Sequence, residues 1–294
     1  MPTNRTTDFL REVLVRQLTT WLPAALRRSR RATVALAGVD AAAVEAALRL
    51  VGDHAEQLRG RRVAMVVLSD GASDLPTRLG PVEAVLPAEV TVHLLPGDPG
   101  RLPVATKAAG AAGAPLFSFV GLPAAVSPEL LAATTNGRAG ELLLHTGGSA
   151  RDALVAAGFP LVAEVAPVLP DGEAIGVVAF GSRSDRSLEA VRDALWAVGA
   201  DLDVRYRDPV DATSRPVDVA GVPDLEPLAR ELLAELRRGG PCPVTELRRH
   251  TLTATVYRAA DANQALADLL DAGDVRRDRE SGRLAGDEII TVAR

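Results

Sequence analysis

The sequence predicts an α/β protein in which a mostly parallel sheet is covered by helices on both faces and followed by a small C-terminal module. Short apolar runs rich in Val and Leu alternate with helical segments over the first two thirds of the chain, the pattern of a buried parallel sheet. A Pro- and Asp-rich stretch at 208–223 has no helical period and predicts a linker. We therefore expect domains over 1–207 and 224–294.

The N-terminal domain begins with a helix over 8–28, where apolar residues recur three and four positions apart. Five apolar strands follow, with helices expected over 41–51, 128–134 and 150–157. Two further runs, 161–166 and 175–180, flank a Pro-Asp-Gly turn and predict an antiparallel hairpin. Five parallel units closed by a hairpin outline a doubly wound Rossmann sheet of the class I methyltransferase type, followed by a helix over 187–198. The five strands are Thr33–Gly38, Arg62–Leu68, Val90–Leu95, Pro115–Val120 and Glu141–His145.

The C-terminal domain is predicted to contain three helices, over 225–237, 244–250 and 256–272. A short hairpin, formed by 275–276 and 289–292, follows the third helix. Three helices and a β-wing within about 70 residues are typical of a winged-helix module.

Composition excludes several classes of protein. The chain has 294 residues, of which 47% are hydrophobic, so it can bury a large core. Its net charge of −5 disfavours a dedicated nucleic-acid binder. The single cysteine, Cys242, cannot form an internal disulfide, and the four histidines show no metal-ligand spacing. Without a signal sequence or an apolar run of the ~18 residues that a membrane span needs, we expect a cytoplasmic protein with no metal.

Several segments of the second half resemble one family. They are 180–184 (Phe-Gly-Ser-Arg-Ser), 193–198 (Asp-Ala-Leu-Trp-Ala-Val), 204–209 (Val-Arg-Tyr-Arg-Asp-Pro) and 255–261 (Thr-Val-Tyr-Arg-Ala-Ala-Asp). From about residue 174 onward the chain resembles the three-Cys-motif partner proteins. The resemblance implies a methyltransferase-like domain with an S-adenosylmethionine site, a winged-helix-like C-terminal segment and a protein partner.

The first cofactor loop departs from the pattern that the resemblance implies, which is an acidic residue followed by several glycines. In 34–40 (Val-Ala-Leu-Ala-Gly-Val-Asp) only Ala37 and Gly38 are kept, with Val34 in the acidic position and Asp40 in that of the last glycine. Glycines let this turn bend tightly and let a ligand approach the backbone. Asp40 is interpreted as a cap of the following helix rather than a ligand contact.

The remaining candidate cofactor residues follow the second and third strands. Asp70 is placed to hold ribose hydroxyls, with an ordinary turn aspartate as the alternative. Gly97 and Asp98 stand where the adenine-side loop would be, and Asp98 is also open to a turn role. The candidate cofactor-binding residues are thus Gly38, Asp70, Gly97 and Asp98.

The end of the fourth strand, 117–123 (Phe-Ser-Phe-Val-Gly-Leu-Pro), offers no acid, amide or base, so no catalytic residue is assigned. The turn 146–149 (Thr-Gly-Gly-Ser) leads into a helix and leaves two interpretations open, an anion site or plain turn chemistry. The basic run 27–31 (Arg-Arg-Ser-Arg-Arg) is similarly open to a helix C-terminus or an anion contact.

The sequence therefore favours a divergent methyltransferase-fold partner protein with a degraded cofactor site, acting through a protein partner or as a homodimer. One alternative is an active S-adenosylmethionine-dependent methyltransferase. A second is a winged-helix DNA-binding regulator, which the charge of 224–294, 11 Arg against 13 Asp and Glu or about −2, disfavours.

Overall fold

The structure is a computed structural model, and it describes residues 4–69, 75–122, 126–135, 137, 139–211, 213–279, 282 and 284–293. Within these described residues, the N-terminal part contains eight helices, one 3-10 turn and eight strands. In chain order they are α1 (Asn4–Arg28), β1 (Arg31–Ala37), α2 (Ala41–Asp53), α3 (Ala55–Leu58), β2 (Arg62–Ser69), α4 (Leu75–Glu83), β3 (Val90–Pro96), the 3-10 turn Pro99–Arg101, α5 (Leu102–Ala108), β4 (Pro115–Gly121), α6 (Pro128–Thr135), β5 (Ala139–Thr146), α7 (Arg151–Ala156), β6 (Leu161–Val168), β7 (Val177–Ser182), α8 (Asp185–Leu202) and β8 (Arg205–Arg207).

The C-terminal part forms three helices and a three-stranded antiparallel sheet of order β10-β11-β9. Its elements are α9 (Glu226–Gly239), β9 (Cys242–Pro243), α10 (Val244–Ala254), α11 (Ala259–Asp271), β10 (Val275–Arg277) and β11 (Ile289–Val292). The three helices and the closing hairpin follow the order that the sequence predicted, and β9 adds a short edge pairing that the sequence did not reveal.

The large sheet has the strand order β3-β2-β1-β4-β5-β7-β6-β8. Strands β1 to β5 are parallel, and β7 is antiparallel to both β5 and β6. The mostly parallel α/β sheet predicted from the sequence is confirmed, including the antiparallel hairpin after the fifth strand. This order places the carboxyl ends of β1, β2 and β3 side by side at one edge.

Alternate residues of the central strands pack into two separate cores. On β1, Val34 and Leu36 join the core that includes α1, α2 and α8, whereas Ala35 and Ala37 face the core that includes α5, α6 and α7. Because both faces are covered, the strands are apolar almost throughout, and this is why the sequence showed unbroken apolar runs.

The segment 208–223 carries no helix or strand among its described residues, and it is attached to the N-terminal part. Val217 exchanges two backbone hydrogen bonds with Tyr206, of 2.7 and 3.0 Å, and Val219 is buried against the same core. Over the described part of the chain, no helix combines the length and apolar character needed to cross a membrane.

Helix α8 holds the C-terminal part through main-chain carbonyl groups. The fully buried Arg192 donates from Nη2 to the carbonyl oxygens of Leu252 (2.9 Å) and Thr255 (2.8 Å), and Trp196 donates from Nε1 to that of Val256 (2.9 Å). Burial lowers the pKa of the Arg192 guanidinium to about 10, which leaves it charged near neutral pH. The connection between α10 and α11 is therefore fixed on α8.

Replacing this buried guanidinium tests the docking. Arg192→Ala is expected to lower the free energy of unfolding by about 3 kcal/mol, because one buried and one part-buried carbonyl group lose their donor and a cavity remains. Glu189→Ala, an exposed change on the same helix, should cost less than about 0.5 kcal/mol. Urea denaturation of both variants measures the difference, and equal losses would contradict the interface described.

Candidate functional site

The predicted cofactor residues lie at the carboxyl edge of the sheet, where β1, β2 and β3 end. Ala37 on β1 pairs with Leu68 on β2, and Ser69 pairs with Pro96 on β3. The backbone N–H of Gly97 donates to the Ser69 carbonyl oxygen at 2.7 Å. The structure thus brings Gly38 and the Gly97–Asp98 loop to one edge, while Asp70 lies outside the described residues.

Gly38 is held in a tight left-handed turn against the end of β4. Its φ is +65°, and a Cβ atom built on it would lie 2.1 Å from the carbonyl oxygen of Gly121. Conversely, a Cβ atom on Gly121 would lie 2.4 Å from the carbonyl oxygen of Gly38, and the ring of Pro99 approaches Gly38 from the β3 side. The two backbones are therefore in direct contact where β1 and β4 end.

The aspartates of this edge bind backbone amides of their own loops. Asp40 Oδ1 accepts from the Ala43 N–H at 2.6 Å and caps α2, as predicted. Asp98 Oδ1 accepts from the Gly100 N–H at 2.7 Å and caps the 3-10 turn. Both carboxylates already stabilise the start of a helical turn, so a ligand would have to compete for them.

Gly97 is covered by its own loop. A Cβ atom on Gly97 would lie 2.4 Å from Cδ of Arg101, so the aliphatic part of that arginine folds over the glycine. The absence of a side chain at Gly97 therefore accommodates Arg101, which accounts for the glycine without a ligand.

The Gly-rich turn after β5 already holds an anion, and that anion belongs to the protein. Buried Glu164 accepts from the Ser149 hydroxyl and the Ala150 N–H, both at 2.8 Å, and its Oε2 lies 3.6 Å from Nε of Arg151. Of the two interpretations of this turn, the structure supports turn chemistry, because an internal carboxylate occupies the start of α7.

A second group of polar residues lies at the opposite, amino edge of the sheet. Glu141 on β5 is 4% exposed, and its Oε1 accepts from the Ser187 hydroxyl at 2.6 Å, whereas its Oε2 has no hydrogen-bond partner. Burial raises the pKa of Glu141 to about 7, although the Ser187 hydrogen bond and the charge of Arg28 lower it in part. Gln17 on α1 is 2% exposed, and its Oε1 likewise has no partner.

Sequence reasoning missed this group, although two signals were present. Glu141 is an acidic residue directly before the apolar run 142–144 of its strand, and Gln17 falls on the apolar face of α1 between Leu14 and Trp21. A polar residue in a predicted core position requires a partner or a ligand. What the sequence could not show is that β5 and α1 bring the two side chains to the same edge.

In the part of the chain that the structure describes, no three His, Cys, Asp or Glu side chains come together so that they could hold a metal ion. Of the four histidines, His145 contacts the Ile175 carbonyl oxygen at 2.6 Å, and His250 contacts Glu231 at 2.8 Å. These contacts stabilise the turn before β7 and the packing of α9 on α10.

Comparison with known proteins assigns no family to this chain. No family model matches the chain, and no curated protein matches it. Among solved structures, a chain described as loganic acid methyltransferase with SAH aligns with 92% of this chain and 73% of its own length, at 9% identity and a TM-score of 0.25. A similarity at this level carries no argument about function. The mostly parallel strand order is consistent with the doubly wound, methyltransferase-like sheet that the sequence predicted, and the family resemblance stays a prediction.

Paired glycine substitutions test the contact at the end of β1. Gly38→Ala is expected to cost about 1 kcal/mol for the positive φ and a further 1–3 kcal/mol for the collision with Gly121. Gly60→Ala has a similar φ of +72° with nothing within 4 Å, so it should cost only the first amount. Equal changes in the denaturation midpoints of the two variants would show that the two loops are not in contact.

The pKa of Glu141 gives stability a defined pH dependence. Below its ordinary value of 4.5 the carboxyl group is protonated in both states and has no effect. Between pH 4.5 and about 7 the Glu141 carboxyl group is ionised in the unfolded chain but still protonated in the folded one. The free energy of unfolding therefore falls over this range, by about 3 kcal/mol in total, and stays lower at higher pH. Glu141→Gln should therefore be more stable relative to the parent at high pH than at low pH. A parent-to-variant difference that is constant with pH, measured by chemical denaturation, would refute this.

Proposed function

We propose that this chain is a divergent methyltransferase-fold protein that acts by binding another protein or a second copy of itself, with its adenosyl site degraded. The contact between Gly38 and Gly121 carries this proposal. A nucleotide cofactor in a Rossmann fold needs an open turn after the first strand, where it can approach the backbone. Here the backbone of the fourth strand and the ring of Pro99 lie against that turn.

The charges at the same edge support the proposal. Asp40 and Asp98 are bound to backbone amides, and Val34 replaces the acidic residue that the family pattern has before the turn. A ligand hydroxyl would need to displace a backbone N–H from either carboxylate and leave that N–H without a partner. Cofactor affinity is expected to be low.

The docking of the C-terminal part favours a protein partner over a nucleic acid. In helix-turn-helix proteins the N-terminal end of the second helix enters the major groove. The equivalent helix here is α11, and Arg258 lies at its start. The guanidinium group of Arg258 stacks 4.2 Å above the Trp196 ring and pairs with Asp261. The one cation at that position is therefore already engaged within the protein, and the net charge of about −2 on 224–294 repels phosphates.

Calorimetric titration with S-adenosylmethionine and S-adenosylhomocysteine tests the degraded site. We expect no saturable binding below about 1 mM, the range of a weak contact. A methyltransferase with an intact glycine loop, measured in the same buffer, provides the control. Micromolar binding to this chain would overturn the proposal.

Sedimentation velocity over a wide concentration range addresses the partner. A reversible dimer would identify a second copy of this chain as the partner. A monomer at all concentrations would indicate that the partner is a different protein. If the chain instead bound S-adenosylmethionine tightly and transferred its methyl group, the binding role would be excluded.

The alternative, an active methyltransferase, is favoured by the strand order and by the left-handed glycine turn that is kept at the end of β1. In that case Asp70→Ala and Asp98→Ala should each abolish cofactor binding. Tight binding by the parent together with its loss in both variants would establish the enzyme over the partner protein.

A further inference from the structure

We propose that a cavity at the amino edge of the sheet binds a small zwitterion, a molecule with a primary ammonium group at one end and a carboxylate at the other. The cavity has a volume of about 200 Å³ and lies between the second half of α1, the first residues of β4 and β5, and the first turn of α8. It lies at the edge opposite to the predicted cofactor loops, so this inference is independent of the proposed function.

The buried part of the cavity accepts hydrogen bonds. Glu141 and Gln17 both line it, and each holds a buried oxygen atom without a partner. Buried polar atoms in native proteins nearly always have a partner, so two unpartnered acceptors in one cavity indicate a missing donor. A primary ammonium group supplies three donors and a positive charge, which match two oxygen atoms of which one belongs to a carboxylate.

The exposed part of the cavity is cationic. Arg27 and Arg28, in the last turn of α1, and Arg186, in the first turn of α8, line it and are exposed. Among the described residues, no carboxylate oxygen lies within 4 Å of a guanidinium nitrogen of these three arginines, and this includes the carboxylate of Glu141. Guanidinium groups bind carboxylates in a planar, two-point geometry. Three unpaired guanidinium groups at the mouth therefore favour a ligand whose outer end is anionic.

The size of the cavity limits the ligand. A volume of about 200 Å³ lies below the roughly 300–1,000 Å³ of sites that hold drug-sized ligands, so the cavity suits an amino acid better than a nucleotide. The Ser187 hydroxyl orients the Glu141 carboxyl group from α8 by donating to Oε1, so Oε2 is the buried oxygen atom that lacks a partner. The basic run that the sequence left open between a helix end and an anion contact thus has both roles, because Arg27 and Arg28 end α1 and line the cavity.

Calorimetric titration with the proteinogenic amino acids, β-alanine and γ-aminobutyrate tests the proposal on the full chain. At least one of them is expected to bind with submillimolar affinity. The matched acid without the amine and the matched amine without the acid should each bind at least tenfold more weakly. Arg27, Arg28 and Arg186 are the charged groups that line the cavity with Glu141, and an ammonium group beside that carboxyl group favours its ionised form. Binding near neutral pH should therefore release a proton, which titrations in buffers of different ionisation enthalpy detect.

Three substitutions locate the site. Glu141→Gln keeps the bond to Ser187 but removes the charge, and it should weaken binding at least tenfold and abolish proton release. Arg28→Ala, an exposed change that leaves the fold intact, should weaken binding to a similar extent. Arg30→Ala, in the same basic run but outside the cavity, should leave affinity unchanged.

Three results would overturn the proposal. The first is that no zwitterion binds the parent chain. The second is that Glu141→Gln binds as well as the parent, which would place the ligand elsewhere. The third is that the matched acid or inorganic phosphate binds as tightly as the zwitterion, which would reduce the cavity to an anion site.

Discussion

Two glycine backbones meet where β1 and β4 end, and this contact determines what the carboxyl edge of the sheet can hold. Neighbouring parallel strands lie within hydrogen-bonding distance of each other, so the loops that leave them compete for the same space. In this chain Gly38 and Gly121 bring their loops together without side chains, and Pro99 reaches the same point from β3. We propose that the edge that a Rossmann fold ordinarily leaves open for a nucleotide is used here for packing, and this contact is the basis for proposing a binding role over catalysis.

Two buried glutamates of the large sheet have very different surroundings. Glu164 has a hydroxyl, a backbone amide and Arg151 around its carboxylate, so its charge is compensated within the fold. Glu141 has one hydroxyl and an oxygen atom without a partner, and burial dominates its pKa. The first glutamate stabilises the start of a helix. The second is retained at a cost to stability at neutral pH, and such residues are common where a protein binds a ligand.

The sequence was sufficient to predict the sheet, because burial on both faces makes each strand a continuous apolar run that stands out from its neighbours. It missed α3, α4, α5, β8 and β9, and for α5 and β8 the reason is physical. Helix α5 buries only three side chains within seven residues, and β8 has Tyr206 as its one buried residue, so neither shows a readable period. The third helix of the C-terminal part was predicted to begin at Val256 but begins at Ala259, because 256–258 pack against Trp196. The candidate site was predictable only as a set of loops. Tertiary contacts decide which carboxylates cap a helical turn and which stay free, and the sequence does not show those contacts.

Three of the hydrogen bonds between the two parts of the chain are asymmetric in their chemistry. Helix α8 contributes two particular side chains, Arg192 and Trp196, whereas the C-terminal part contributes main-chain carbonyl oxygens at 252, 255 and 256. Every amino acid has a carbonyl oxygen, so these three acceptors survive any substitution that keeps the turn in shape. Arg192 and Trp196 cannot be replaced in the same way, because their hydrogen bonds are donated by side chains. For these three hydrogen bonds, sequence drift in the C-terminal part is therefore tolerated, while in α8 a single replacement removes them. The Arg249–Asp185 pair, by contrast, needs a side chain from each part.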